Sequence, residues 1–333
     1  MHFKYLVALF MGLTFIYSCD SGKSTDPNST GKGSEILVVC DKVLWDGHIG
    51  NSIRQYFTVE MEGLPESEAE YSLINVPYSN FSRFLQTHRN VFIIDVKKDN
   101  GKGGIETQTN TWSHPQRVIK LVASDYPSFD SVFLKYRAAI KELFNQNERA
   151  RFGAQNALNR NLNVESALEK EFGVKMIVSS DFYQAKKEKD FIWLRKETNE
   201  MSLGLMIYYF PYNDTNQLMM QNILNQRNEY TRKYIPGPTE GSYMKAADEV
   251  LKPVSRKIKF NQLFAVETRG LWDTKGDFMG GPFINYSVID TLRQRIVTFD
   301  GYVYYPNKPK KNYIRQLESI IWGSKFLPSS EEK

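Results

Sequence analysis

The chain has 333 residues, of which 41% are hydrophobic and 14% aromatic; this excludes wholesale disorder and leaves room for one large domain or two medium ones. Its 43 basic and 38 acidic residues give a formal charge of +5, too balanced for a dedicated nucleic-acid binder. Two cysteines can build neither a zinc finger nor a disulfide framework.

Residues 1–18 read as a signal peptide. His2 and Lys4 supply the positive start, and Tyr5 to Tyr17 is an apolar run shorter than the roughly 20 residues that cross a bilayer. The run ends in Ile16-Tyr17-Ser18-Cys19, the form of a bacterial lipobox, in which the cysteine is acylated and becomes the mature N-terminus. Tyr17 departs from the small or aliphatic residue usual at its position. Residues 19–34 are then the lipidated Cys19 and a flexible Ser/Gly/Thr/Asn tether. With a single acidic residue, Asp20, directly after the cysteine, the expected location is the outer membrane, facing the periplasm. Cys40 lies in an apolar run and is expected to be a small core residue.

The mature chain is expected to be α+β, two sheet-plus-helix halves joined by a helical segment, with halves at 35–172 and 173–327 and a polar tail at 328–333. In the first half, strands are predicted at Glu35–Asp41, Tyr71–Val76, Asn90–Val96 and Arg117–Ala123, with helices at Leu44–Phe57 and Ser79–His88. The order suggests a partly parallel sheet. A helical stretch follows at Phe129–Asn145, capped by Ser128 and continued by Arg149–Leu162, and then a helix at Val164–Phe172, capped by Asn163 and stopped by Gly173. The second half has strands at Val174–Val178, Phe191–Arg195, Leu203–Phe210, Ile258–Gly270 and Pro282–Ile289. It has a long helix at Asn213–Tyr234 and a closing helix at Asn312–Trp322. Gln294–Tyr305 reads as two strands split by a hairpin turn at Asp300-Gly301. Both halves open with an apolar strand ending near an aspartate, which raises the possibility of a duplication.

Chemical signatures are scarce. There is no H-E-x-x-H, no G-x-S-x-G and no phosphate-binding loop, so no catalytic residue, cofactor or metal site is expected. His48 reads as solvent-facing at a helix start, with Asp46 as the cap. His88 and Arg89 read as complements to a helix C-terminus. Trp112 and His114 place an indole and an imidazole side by side in a loop and are candidate ligand contacts. The segment Trp272–Pro282 reads as a long loop in which Arg269, Trp272, Asp273 and Asp277 line a cleft, with Asp273 and Asp277 as a conceivable carboxylate pair. Tyr302 and Tyr304 share one sheet face by alternation, most simply packed against the closing helix. Lys308, Lys310 and Lys311 form a basic patch, either solvated or facing an anionic surface.

Several stretches together resemble one family. They are Cys19 with its tether, EILVVCD with LWDG, THRN leading into NVFIIDV, RGLW, MGGPF, and FDGYVYYP with NKPKKNYIRQLE. The chain is similar across its mature length to the Bacteroidota lipoproteins catalogued as a domain of unknown function, DUF4837. The resemblance implies an envelope location and carries no activity, cofactor or site residue. The function expected is a membrane-anchored, non-enzymatic binding or assembly module with an envelope protein or glycan partner and no nucleic acid. The alternative is an envelope hydrolase working through carboxylates on peptidoglycan or glycan.

Overall fold

Glu35–Val39 (β1) is buried along its whole length, as an apolar run flanked by parallel neighbours must be. The computed structural model describes residues 27–328, so the segment read as a signal peptide, Cys19 and most of the tail lie outside the described residues. After β1 come α1 (Lys42–Asp46) and α2 (His48–Phe57). The single helix predicted here is broken at Gly47, whose backbone is extended; Gly47, not Asp46, stands at the N-cap of α2. Then follow β2 (Ser72–Val76), α3 (Arg83–Gln86), β3 (Asn90–Val96), β4 (Gly104–Thr109), β5 (Arg117–Ala123) and α4 (Tyr126–Asn156).

The first sheet has the order β2-β1-β3-β5-β4 and is parallel except for β4, which runs against β5. Sequence pattern missed β4 because GIETQT, an exposed edge strand, lacks apolar alternation. The helical stretch predicted after Pro127 is one helix of 31 residues, ending at Asn156 rather than Leu162. Its cap is Asp125, which accepts from the Ser128 backbone N–H at 2.8 Å, so Ser128 lies inside the first turn. Helices α2 and α4 cover one face with Ile49, Ile53, Phe57, Phe129, Phe133, Ile140 and Phe144.

The second unit begins with α5 (Leu162–Ala167), capped by Asn161 rather than Asn163. It runs on through a π-type turn to Phe172 and stops at Gly173, whose φ is +63°. Val164, Leu168 and Phe172 pack into the core of the second sheet. The packing therefore divides the chain just before α5, earlier than Gly173. The remaining elements are β6 (Val174–Lys175), β7 (Tyr183–Glu188), β8 (Phe191–Glu197), β9 (Ser202–Pro211), α6 (Met220–Tyr234), β10 (Tyr243–Ala246), β11 (Val254–Phe260), β12 (Leu263–Lys275), β13 (Gly280–Asp290), β14 (Arg295–Tyr304), α7 (Lys311–Trp322) and β15 (Lys325–Phe326).

Strands β10-β12-β13-β14-β9-β8-β7 form an antiparallel sheet, with β11 beside the first part of β12 and β10 beside its end. The fold is α+β, but the two sheets differ in strand direction and order, so the duplication idea fails. Three sequence expectations fail with it. Ile258–Gly270 is not one strand: β11 turns into β12 at Asn261 and Gln262, both at positive φ. Most of Trp272–Pro282 is strand, leaving only Gly276–Met279 as the turn. Asp300-Gly301 is no turn but the interior of β14. Helix α6 covers one face of this sheet and α7 the other. Asp300 faces Arg227 of α6, and Gly301 lies under Leu317 of α7.

The part of the tether that can be seen is docked. The Thr30 N–H donates to the Thr87 carbonyl, the Thr30 carbonyl accepts from the Arg89 N–H, and the Arg89 side chain donates to the Thr30 and Gly31 carbonyls. Ser34 is fully buried and its N–H donates to Glu148 at 3.1 Å. Residues 27–34 are thus part of the fold, because their backbone groups find partners a free tether would leave to water. His88, read as a helix-end charge, is buried between Glu35 (3.1 Å) and the Asn90 backbone.

Candidate functional site

The structure scatters the residues that sequence grouped. Trp112 lies on the first sheet, edge to face with Phe81 at 5.7 Å. His114 is exposed, and its backbone pairs with Pro27 and Ser29. The other candidates lie on β12 and its turn, in the second sheet. Alternation along β12 separates even these: Trp272 packs on the α6 face with Met244 and Tyr302, whereas Arg269 bonds to Glu318 of α7 on the opposite face. Asp273 lies 3.6 Å from Lys245; burial, reinforced by Glu249, raises its carboxyl above the usual range despite that lysine. Asp277 accepts instead from the Thr239 hydroxyl and the Phe278 N–H, both at 2.6 Å, and these hold its carboxyl low. The two carboxylates have different neighbours. His48, which was expected to point to water, contacts Asp130 at 2.7 Å while remaining half exposed.

Two of the concavities among the described residues bear on these candidates. The first, of about 570 Å³, lies between the units, with Tyr56, Lys141 and Arg149 on one side and Arg256, Glu267 and Trp322 on the other. At its base Glu267 accepts from Arg269 (2.8 Å) and Arg256 (2.9 Å), and Arg269 also bonds to Glu318. Burial opposes the charge on Glu267, yet Arg269 and Arg256 outweigh it and bring its carboxyl down to about 2. Arg256 reaches on to Glu62 of the first unit at 2.7 Å. These charges are matched to one another, and the arrangement reads as a brace between units. The Lys308–Lys311 patch belongs to the same brace. Lys310 is buried with its ammonium 2.7 Å from Glu66, and the Lys311 ammonium donates to the Ala69 carbonyl at 2.6 Å.

The second concavity, of about 350 Å³, opens on the α6 face beyond the end of that helix. Trp193 (β8), Trp272 (β12) and Tyr302 and Tyr304 (β14) contribute its aromatic wall, and Ile235–Pro238 with Met279 form the rim. Tyr302 and Tyr304 share a face as alternation requires, but it is the face away from α7, which correctly places them together and corrects what they pack against. The Trp193 indole N–H donates to the Tyr302 hydroxyl at 3.0 Å, and the Trp272 N–H donates to the Val303 carbonyl at 3.3 Å. Trp272 meets Tyr302 edge to face at 5.3 Å. Gly204 lies directly beneath the Tyr302 ring, which a Cβ there would strike. The Arg195 guanidinium stacks over Trp193 at 4.8 Å and is paired with Glu197. Two buried polar atoms of this lining, Arg195 Nε and Ser202 Oγ, have no hydrogen-bond partner.

Residues 161–323 match the family model described as Domain of unknown function (DUF4837). That match spans the second unit. Residues 29–157 match a different model, Domain of unknown function (DUF8532), so the resemblance expected over the whole mature chain is divided between two families at the boundary the packing shows. No curated protein matches the chain. Solved structures that resemble part of it include two of Mog1. A point mutant of the protein Mog1 covers 48% of this chain and 94% of its own at 8% identity and a TM-score of 0.33. The Saccharomyces cerevisiae Ran-binding protein Mog1p covers 47% and 92% at 7% identity and 0.32. That likeness is too slight to bear on fold or function.

The aromatic cleft lies wholly inside the segment that the DUF4837 model matches, whereas the charged cleft is lined by residues of both matched segments. Among the described residues no group of three or more His, Cys, Asp or Glu is placed to hold a metal ion. No described helix is long and apolar enough to cross a membrane. Sequence reading named Trp272 of the aromatic cleft and missed Trp193, Arg195 and Ser202. The one signal available was the Tyr302-Val303-Tyr304 alternation, and nothing local ties that segment to β8 or β9.

Proposed function

We propose that the chain is a lipid-anchored envelope protein whose DUF4837 domain binds an envelope component in the aromatic cleft and does not transform it. The observation that carries this reading is the cleft itself: a concave, mostly apolar site with a few unspent polar atoms, the usual make-up of a binding pocket. The lipobox ending in Cys19 supplies the anchor, and the outer membrane with a periplasmic face is the location that follows. A hydrolase built on Asp273 and Asp277 finds less support, since Asp277 is engaged by Thr239 and the Phe278 N–H while Asp273 faces Lys245.

Both parts can be tested in cells. Cys19→Ala is expected to move the protein from the membrane fraction to the soluble one; retention in the membrane would sink the anchor. Cross-linking in intact cells is expected to yield a reproducible envelope partner that Tyr304→Ala loses. Tyr304 is half-buried on the cleft wall, so its truncation empties part of the site without opening the core. An identical cross-linking pattern in the variant would remove the cleft from the reading.

A further inference from the structure

Three stretches of chain meet at the end of the first unit where β1, β3 and β5 begin. Residues 27–34 run beside the loop before β5 and the turn after α3. The His114 N–H donates to the Pro27 carbonyl at 2.9 Å, and the Thr30 N–H donates to the Thr87 carbonyl at 2.9 Å. One turn before Thr87, α3 holds Phe84 with 75% of its surface in water, next to an exposed Arg83. Phe81 and Trp112, both half-buried, meet edge to face between the same segments. Residues 27–34, 77–94 and 107–119 contain no aspartate or glutamate, while Lys32, Arg83, Arg89 and Arg117 are basic. Lys32, like Arg83, is exposed. Glu35 and Glu148 reach this end from the interior, but both are buried and bonded to His88 and Asn90.

We propose that this end of the first unit lies against the bilayer, with Phe84 among the headgroups and Lys32 and Arg83 facing anionic lipid. This rests on the Cys19 anchor and adds a second contact to it. Seven residues separate Cys19 from Pro27, so the two stand at most about 30 Å apart. A chain of this length folds to roughly 50 Å across. The link is thus shorter than the fold is wide, and this is the end it holds within reach of the lipid. Apolar side chains beside cations are what the interface of an anionic membrane accepts. A protein partner is less well served. Phe84 is the single mostly exposed apolar side chain in the three stretches, whereas a stable protein interface covers roughly 800 Å² on each side.

The test attaches an environment-sensitive dye at Phe84→Cys in the lipidated full chain and, as control, at Lys98→Cys, exposed beyond the other end of β3. Cys40 is buried and stays unlabelled. Each chain is placed in vesicles of phosphatidylcholine and phosphatidylglycerol that carry a headgroup quencher, and flotation reports the anchor. Both chains are expected to float, with the dye at 84 quenched and the dye at 98 spared. Lys32→Gln and Arg83→Gln are each expected to lower the ratio of docked to undocked chain about fivefold, with flotation unchanged. High salt should act in the same direction. Flotation with equal quenching at both positions overturns the docking while the anchor stands. Quenching at 84 that persists undiminished in pure phosphatidylcholine and in both charge variants overturns the anionic-lipid assignment. Failure to float removes the anchor, and the docking falls with it. A photo-reactive analogue in place of Phe84 that cross-links to protein rather than lipid in intact cells gives the patch to a protein partner and overturns the proposal.

Discussion

Glu267 shows how much a single neighbour decides. Alone in the interior, a carboxylate would take up a proton to escape its charge; flanked by Arg269 and Arg256, it is held ionised, with a pKa of about 2. A value lowered in the folded state means that the charge stabilises the fold above the ordinary carboxylate range. That stability drains away as pH falls from about 4.5 toward 2, and its full size is about 3 kcal/mol. Denaturant melts across that range should show this loss in the native chain. Glu267→Gln should be less stable at pH 7 and should flatten the slope between pH 5 and 2; an unchanged slope would mean that another group sets the acid limit. None of this was legible beforehand. Arg269 stood out in the sequence, but Glu318, its second partner, comes from α7, 49 positions away.

At the scale of elements, β14 is the clearest case of a local signal overruled. Asp-Gly is a strong hairpin dipeptide, yet here it continues a central strand for two separate reasons. Asp300 is fully buried and accepts from Arg227 (3.0 Å) and Asn285 (2.8 Å) on the α6 side. Gly301 lets α7 settle onto the other side, since a Cβ there would stand 3.1 Å from two carbons of Leu317. Asp300→Ala should therefore cost about 3–5 kcal/mol in a urea melt, because it leaves the Arg227 charge buried and unpaired. Gly301→Ala should cost about 1–3 kcal/mol through overpacking. A loss below about 0.5 kcal/mol for Asp300→Ala is what a surface turn would give and would refute the buried pair.

On the scale of the molecule, the segment between α2 and β2 fastens the two units. Met61 and Leu64 leave the first unit and bury themselves in the core of the second. Gly63, at φ +79°, passes so close to Arg269 and Gly270 that a side chain would not fit. Glu62, Glu66 and Glu68 take Arg256, Lys310 and the first backbone N–H groups of α7. Asn145 and Asn156 of α4 complete the seam to Arg315 and Ser319. Unfolding is expected to be a single calorimetric transition, although two families meet in the chain. Leu64→Ala should cost about 2–5 kcal/mol despite its loop position, and with Met61→Ala it should split the transition in two. Two transitions in the native chain would show the units to be independent.

The sequence by itself determined the elements whose period is long and apolar. The β1 and β3 runs, α6, α7 and the α+β class are examples, because burial imposes its spacing on neighbours in the chain. The lipobox reading at Cys19 rests on residue identity alone and lies outside the described residues. Tertiary structure decided what those elements meet. It put Tyr302 and Tyr304 against Trp272 rather than α7, made Lys310 a buried clamp, docked residues 27–34, and sent Trp272 and Arg269 to opposite faces of one strand. Side-chain alternation is local, but which face is wet, which is aromatic and which is charged depends on partners tens to hundreds of residues away.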